Sequence, residues 1–318
     1  MVSAVDFIEQ WLPGYDGTQF YTRTYAATFP KAIVLFVHGF AEHIGRYQHS
    51  HARYPARHIT VFAFDLRGYG RTALDTEHKS KDSAYGKTNW DWQLRDIEFF
   101  GQYVAKQYPG TPLYLMGHSA GGAAVLAYYT RDKAPPSTEG KGLFKAVIAS
   151  SPCLVLTHPK PKIIRWTGAK LALIRPYQLI PADVGVENIT RNQAVRDEYL
   201  KDPLIRRTGS LKGLDDMLTG GEKLLSGDYA RWPKDLPLFI IHGTADEVTS
   251  CEASREFYEK VSAEDKKISI YEGGFHELVH EPDGMSDRLV NECVAWVEAH
   301  CPPKSPSATG TPAPEAKL

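Results

Sequence analysis

The sequence predicts an α/β protein with a mostly parallel central sheet flanked by helices and an inserted, mainly helical cap. Three observations carry this. Short, continuously apolar runs at residues 32–37 and 59–64 fit strands covered on both faces, as parallel sheets require. Helical stretches separate such runs, so successive strands connect by right-handed crossovers. The alternation breaks at residues 153–232, where helical fragments and prolines dominate, and resumes at Pro237. The expected divisions are 1–152 and 233–301 for two parts of one core, 153–232 for the insertion and 302–318 for a tail.

Residues 20–25 alternate and are rich in β-formers, which predicts an early antiparallel strand. The run at 32–37 leads into His38-Gly39-Phe40-Ala41-Glu42-His43, and a helix is expected over about 46–57. The next strand, 59–64, ends at Asp65-Leu66-Arg67-Gly68-Tyr69-Gly70-Arg71. Residues 90–108 carry Trp92, Ile97, Phe100 and Val104 at helical spacing, and Pro109-Gly110 stops them. A strand at 113–116 precedes Gly117-His118-Ser119-Ala120-Gly121, and 122–129 reads as a helix. Residues 144–149 form another strand, closed by Ser151-Pro152. After the insertion come strands at 237–241 and 267–271, a helix at 251–261 between them, and a last helix at 285–300.

Bulk properties exclude several classes. The chain has 318 residues, 42% of them apolar and 24% charged, enough for a full core. A net charge of −1 gives no field favouring nucleic acid, and no such partner is expected. Cys153, Cys251, Cys293 and Cys301 form no C-x-x-C pair, which argues against a metal or redox motif and for free thiols in a reducing, cytoplasmic setting. Residues 1–11 lack a basic start and a long apolar run, so no signal peptide is expected. No segment approaches about 18 uninterrupted apolar residues, so any membrane contact should be peripheral. Residues 302–318 hold five prolines and no aromatic residue and are expected to be disordered. They end in Ala316-Lys317-Leu318, similar to the S-K-L peroxisomal address.

A G-x-S-x-G between strand and helix is the context of a nucleophile elbow. The chain must reverse at Ser119, and small neighbours allow that close approach. A serine hydroxyl needs a base, and the base needs an orienting carboxylate. Asp246 falls just past one later strand end and His276 just past the next, in the order that strand termini on one edge would bring together. Glu247 and His280 are the nearest rivals, each displaced from its strand end. The oxyanion donors should be the backbone N–H groups of Ala120 and Phe40. This chemistry calls for no metal and no cofactor.

These motifs resemble the monoacylglycerol lipase family of the α/β-hydrolase superfamily. The likeness covers about residues 20–300 and rests on His38-Gly39-Phe40-Ala41-Glu42-His43 with Gly45-Arg46-Tyr47, Asp65-Leu66-Arg67-Gly68-Tyr69-Gly70 and Gly117-His118-Ser119-Ala120-Gly121-Gly122. It continues through Tyr199-Leu200-Lys201-Asp202-Pro203-Leu204, Gly243-Thr244-Ala245-Asp246 and Tyr271-Glu272-Gly273-Gly274-Phe275-His276-Glu277. The prolines and the form of the insertion point to a fungal member. Departures are Ala120 where the elbow usually has Met, Thr249 where animal relatives have Cys (Cys251 lies two residues on), and a glycerol-binding His that falls near Val279 or His280.

The resemblance implies a serine hydrolase of monoacylglycerol, releasing fatty acid and glycerol through an acyl-enzyme. Glu42, Arg46 and Tyr199 occupy positions that face the glycerol in the family. The alternatives for them are a local loop salt bridge and cap packing. The insertion would be the family's cap. Residues 160–175 set Ile163, Ile164, Leu171 and Ile174 beside Lys162, Arg165, Lys170 and Arg175, with Trp166 among them. That pattern fits a membrane or lipid-droplet surface, the alternative being a helix packed on the core. Rival activities are a lysophospholipase, another carboxylesterase or an aminopeptidase of the same fold. A rival of another class is a non-catalytic binder of hydrophobic ligands. Epoxide hydrolases and dehalogenases use Asp where Ser119 stands.

Overall fold

The computed structural model of the protein describes residues 6–302. In chain order the first part holds β1 (Ile8–Pro13), β2 (Gln19–Tyr25), β3 (Ala32–Val37), α1 (Gln48–His51), β4 (Ile59–Phe64), α2 (Gly70–Leu74), α3 (Trp90–Gln107), β5 (Leu113–His118), α4 (Ala120–Thr130), α5 (Thr138–Lys141) and β6 (Val147–Ser150). Then come α6 (Lys162–Ile174), β7 (Leu179–Pro181), α7 (Val186–Ile189), α8 (Gln193–Lys201), β8 (Thr208–Ser210) and α9 (Leu211–Ser226). The chain returns to the main sheet with β9 (Leu238–Gly243), α10 (Cys251–Lys260), β10 (Lys266–Tyr271) and α11 (Met285–Ala299).

The eight-stranded sheet has the order β1-β2-β4-β3-β5-β6-β9-β10. β2 pairs antiparallel with both β1 and β4, and every pairing from β4 to β10 is parallel. The continuous apolar run of β3 has a simple cause. Ile33, Leu35 and Val37 pack with Leu94, Ile97 and Phe100 of α3, while Ala32, Val34 and Phe36 join Leu289, Val290 and Val294 of α11 on the other face. Both faces are core, so neither set can be polar.

One local expectation needs correction. The helix expected over about 46–57 is broken: α1 lies between two 3₁₀ turns, Ile44–Tyr47 and Pro55–Arg57. His58 ends the run in the left-handed region at φ 55°. Pro55 lacks the N–H that an uninterrupted helix would use. The N-terminal strand β1, whose burial is slight, has no counterpart in the sequence reading.

The segment between β6 and β9 adds no strand to the main sheet. Its β7 and β8 form a separate antiparallel pair, Leu179 opposite Ser210. The segment meets the core through side chains: His43 Nε2 donates to Asp202 Oδ2 at 2.7 Å, and the Tyr199 ring lies 5.1 Å from the Arg46 guanidinium carbon. Among the described residues no helix is long and apolar enough to cross a membrane. Residues 303–318, with Ala316-Lys317-Leu318, lie outside the described residues.

Candidate active site

Ser119 joins β5 to α4 with φ 56° and ψ −119°, a conformation that L-residues rarely adopt. Sterics explain the flanking glycines. A Cβ on Gly117 would lie 2.3 Å from the Gly121 carbonyl oxygen, and one on Gly121 would lie 2.3 Å from that of Val37. Backbone bonds hold the turn, with Ser119 N–H donating to Ser150 O and Cys153 N–H to Ser119 O, both at 2.9 Å.

The parallel strands bring their carboxyl ends to one edge, where an open α/β sheet has its crevice. There the Ser119 hydroxyl donates to His276 Nε2 at 2.9 Å, and His276 Nδ1–H donates to Asp246 Oδ2 at 2.8 Å. The structure thus joins the candidate nucleophile, base and acid. Of the rivals, Glu247 pairs with His158 at an exposed position, and His280 bonds Glu277 and the Arg46 carbonyl instead.

Asp246 is held from every side. Its Oδ1 accepts from Val248 and Thr249 N–H at 2.8 and 2.9 Å. Its Oδ2 also accepts from His242 Nε2, and the Thr249 hydroxyl lies within hydrogen-bond distance, both at 3.0 Å. His242 Nε2 faces two acceptors at 3.0 Å, Asp246 Oδ2 and the Thr249 carbonyl oxygen, and so carries a hydrogen, while its Nδ1 bonds Ser254 Oγ at 2.7 Å. Burial opposes ionisation of Asp246, but the charge of His276 and the bonds from His242 and His276 outweigh it, and its carboxyl stays far below the usual carboxylate range. Burial likewise disfavours a charged His276, yet Asp246 raises it above its ordinary value. His118, with its ring centroid 4.9 Å from that of His276, is kept neutral by burial and then by the charge of its neighbour. Sequence reasoning passed over His242 and Ser254, although His242 stands near the end of β9, four residues before Asp246.

The candidate oxyanion donors flank Ser119. Neither the Phe40 nor the Ala120 N–H has a partner among the described residues. The loop carrying Phe40 is pinned by side chains: Leu66 N–H donates to His38 Nε2 at 2.8 Å, and Glu42 Oε1 accepts from Gly39 N–H and, at 2.8 Å, from the Tyr47 hydroxyl.

Glu42, Arg46 and Tyr199 do come together, but as one buried cluster. Arg46 Nη1 donates to Glu42 Oε2 at 2.9 Å, and its two nitrogens form a fork on Glu277, with Nη2 to Oε2 at 2.7 Å. The loop salt bridge anticipated for Glu42 and Arg46 is present. Glu277 as a second anion is new. Burial opposes its charge, but Arg46 and His280 hold the Glu277 carboxyl well below its ordinary range.

An apolar cavity of about 410 Å³ opens beyond Phe40, lined by Ile164, Leu211, Leu214, Met217 and Leu218 of α6 and α9. Only Ala172 of α6 is buried, while Ile163, Trp166, Leu173 and Ile174 are 67%, 60%, 79% and 78% exposed. The apolar side of α6 therefore does not pack on the core. Arg165 departs from the expected pattern, since its guanidinium turns onto Glu222 and Thr219 of α9.

Comparisons with known proteins agree with this geometry. A family model described as serine aminopeptidase, S33 (Hydrolase_4), matches residues 28–283. A monoglyceride lipase homologue of Schizosaccharomyces pombe is 32% identical over 278 residues, 86% of this chain and 69% of its own. Human monoglyceride lipase is 30% identical over 290 residues, 89% of this chain and 88% of its own. A crystal structure of a soluble variant of Saccharomyces cerevisiae monoglyceride lipase, in complex with a substrate analogue, matches with a TM-score of 0.82 at 25% identity, covering 96% of this chain and 98% of that one. The chain belongs to the S33 hydrolase family described by that model and, within it, to the monoglyceride lipases of the α/β-hydrolase fold.

Proposed function

We propose that the protein hydrolyses the ester bond of monoacylglycerols, releasing fatty acid and glycerol. The observation that carries this is the Ser119–His276–Asp246 chain at 2.9 and 2.8 Å, together with an apolar cavity of about 410 Å³ that Phe40 helps to line. Ser119 Oγ attacks the ester carbonyl carbon while its proton passes to His276 Nε2. The N–H groups of Phe40 and Ala120 receive the developing oxyanion. As the C–O bond breaks, His276 returns the proton to the glycerol oxygen, leaving the acyl group on Ser119. A water molecule, deprotonated by His276, then attacks the acyl carbon, and Ser119 leaves with the proton. Asp246 orients the imidazole and stabilises its cationic form throughout. An acyl tail suits the cavity, since each buried CH₂ contributes about 0.8 kcal/mol.

The reading extends to the surface. Residues 153–232 are the proposed cap, and the exposed apolar side of α6, with Lys162 and Lys170 beside Trp166, supports a seat on a membrane or lipid droplet. The enzyme so seated would be a peripheral protein of the cytoplasm. A panel of mono-, di- and triacylglycerols, a lysophospholipid and an aminoacyl amide tests the assignment. Monoacylglycerol should have the highest kcat/KM. A preference for lysophospholipid or amide would replace the proposed substrate with that class.

A further inference from the structure

Behind His276 one carboxylate collects four donors. Glu281 is 3% exposed. Its Oε1 accepts from the Thr190 hydroxyl at 2.8 Å and from the Arg191 backbone N–H at 2.7 Å. Its Oε2 accepts from Arg191 Nε at 2.7 Å and from the Phe275 N–H at 3.4 Å. Phe275 immediately precedes the base. Thr190 and Arg191 belong to the inserted segment, just beyond α7.

The stitching is doubled on the far side of His276, where Glu277 N–H donates to the Ile189 carbonyl at 2.7 Å. Ser151 Oγ donates to the His276 carbonyl at 2.9 Å. The loop has little regular structure of its own. It leaves β10 through Gly273, at φ 67°, and Gly274. Such a loop has wide backbone freedom unless its neighbours restrain it. Here those neighbours include residues 189–191 and the side chain of Glu281, together with Ser151, Thr244, Ala245 and Arg46.

A base acts only within hydrogen-bond reach of its proton donor, and a displacement near 1 Å can cost about 100-fold in rate. We propose that Glu281 is a positioning residue for His276, and that through Thr190 and Arg191 it makes the inserted segment part of the support of the catalytic base. Movement of the segment at 189–191 then withdraws His276 from Ser119, so that cap and base act as one unit. This rests on the reading of Ser119 as nucleophile and His276 as base.

The test uses the full chain with p-nitrophenyl butyrate, a soluble ester whose short tail makes little use of the cavity, and with a fluorophosphonate label. Wild-type labelling, absent in Ser119→Ala, checks the underlying reading on its own. The variants are Glu281→Ala, Glu281→Gln and the double variant Thr190→Val/Arg191→Ala, which removes the inserted segment's two side-chain donors to Glu281 and leaves the Arg191 backbone N–H. Glu281→Ala should lower kcat by roughly 10–100-fold with KM changed less than about threefold, and slow labelling in parallel. Glu281→Gln, which keeps an acceptor oxygen, should recover part of the loss. The double variant should lower kcat in the same direction by a smaller factor. A lowered melting temperature with kcat within about twofold of wild type would make the carboxylate merely structural and overturn the proposal. If Glu281→Ala does not fold, the double variant decides: reduced kcat in folded protein supports the coupling, and unchanged kcat overturns it.

Discussion

Arg46 and Glu277 lock together through a two-pronged ion pair, while Glu42 grips the same guanidinium from another side at 2.9 Å. With side chains only 7% and 5% exposed, Arg46 and Glu277 are removed from water, and neither charge can be left alone at low cost. Arg46 is therefore engaged before any substrate arrives. Arg46→Ala should destabilise the fold by about 3–5 kcal/mol, read from urea unfolding at pH 7. The depressed Glu277 value gives this stability a direction in pH. It is present above the unfolded carboxyl value of about 4.3 and is lost as pH falls toward the folded value. A variant equally stable at neutral pH would mean that the pair contributes nothing.

The proposed nucleophile, base and acid can be removed singly. Purified, folded Ser119→Ala and His276→Ala should each lose roughly 10⁶ in turnover, and Asp246→Asn somewhat less. Circular dichroism shows whether each is folded. More than a few per cent of wild-type rate in folded Ser119→Ala would rule out the acyl-enzyme route.

His276 must be neutral to take the serine proton. Its value is raised, so the acid limb of kcat/KM should lie above the ordinary histidine value of about 6.5. The linked stability has the opposite sense. It is fully present below about 6.5 and lost as pH rises through the folded value. Asp246→Asn removes the charge that raises His276 and should move the limb down in pH as it lowers the rate. A wild-type limb below about 6 would contradict the ion-pair account.

Glu42 and Tyr199 should behave differently from each other. Glu42 accepts the Gly39 N–H beside Phe40, so Glu42→Ala loosens the oxyanion loop and should slow monoacylglycerol and p-nitrophenyl esters alike. The Tyr199 hydroxyl has no partner among the described residues, although its ring is buried against Arg46. Tyr199→Phe should lower kcat/KM for monoacylglycerol alone, by the ~1–3 kcal/mol of an unsatisfied buried partner. Equal losses on both esters for Tyr199→Phe would remove it from glycerol recognition.

The exposed face of α6 gives a surface test. Lys162→Glu/Lys170→Glu should weaken co-sedimentation with phosphatidylserine vesicles by about 1 kcal/mol per residue. Trp166→Ser/Leu173→Ser should weaken it through lost apolar contact. Arg165 is left intact because it pairs with Glu222. Hydrolysis of a short soluble ester should survive in both variants, and unchanged sedimentation would remove α6 from the membrane contact.

The legible parts of this sequence share a cause. Strands β3, β4, β5 and β9 are apolar on both faces, so they stand out as short runs, and each is followed by a turn that the parallel topology sends to the same edge. Ser119 and Asp246 can therefore be found by reading the ends of β5 and β9, and His276 by the end of the next strand, β10, although β10 is only partly buried. The polar framework around them leaves no such mark. Glu277 follows His276 directly but meets Arg46, 231 residues away, and Glu281 meets Thr190, 91 residues away. No periodicity in sequence records a pairing across that distance. The break in the helix expected over about 46–57 was signalled by Pro55, which lacks the N–H of an interior helical residue.

Ser119 and His276, the proposed nucleophile and base, are separated by 157 residues along the chain. Ser119 is supplied before the inserted segment, and His276 after it. Ribosomal synthesis therefore produces the serine well ahead of the imidazole that activates it, and the emerging amino-terminal half carries only an ordinary alcohol. The proposed chemistry therefore requires β9 and β10 to be in place beside β6, which makes activity a marker of sheet assembly. Contacts this distant in sequence form late and slowly. A chain that stops before β9 holds Ser119 without Asp246 or His276.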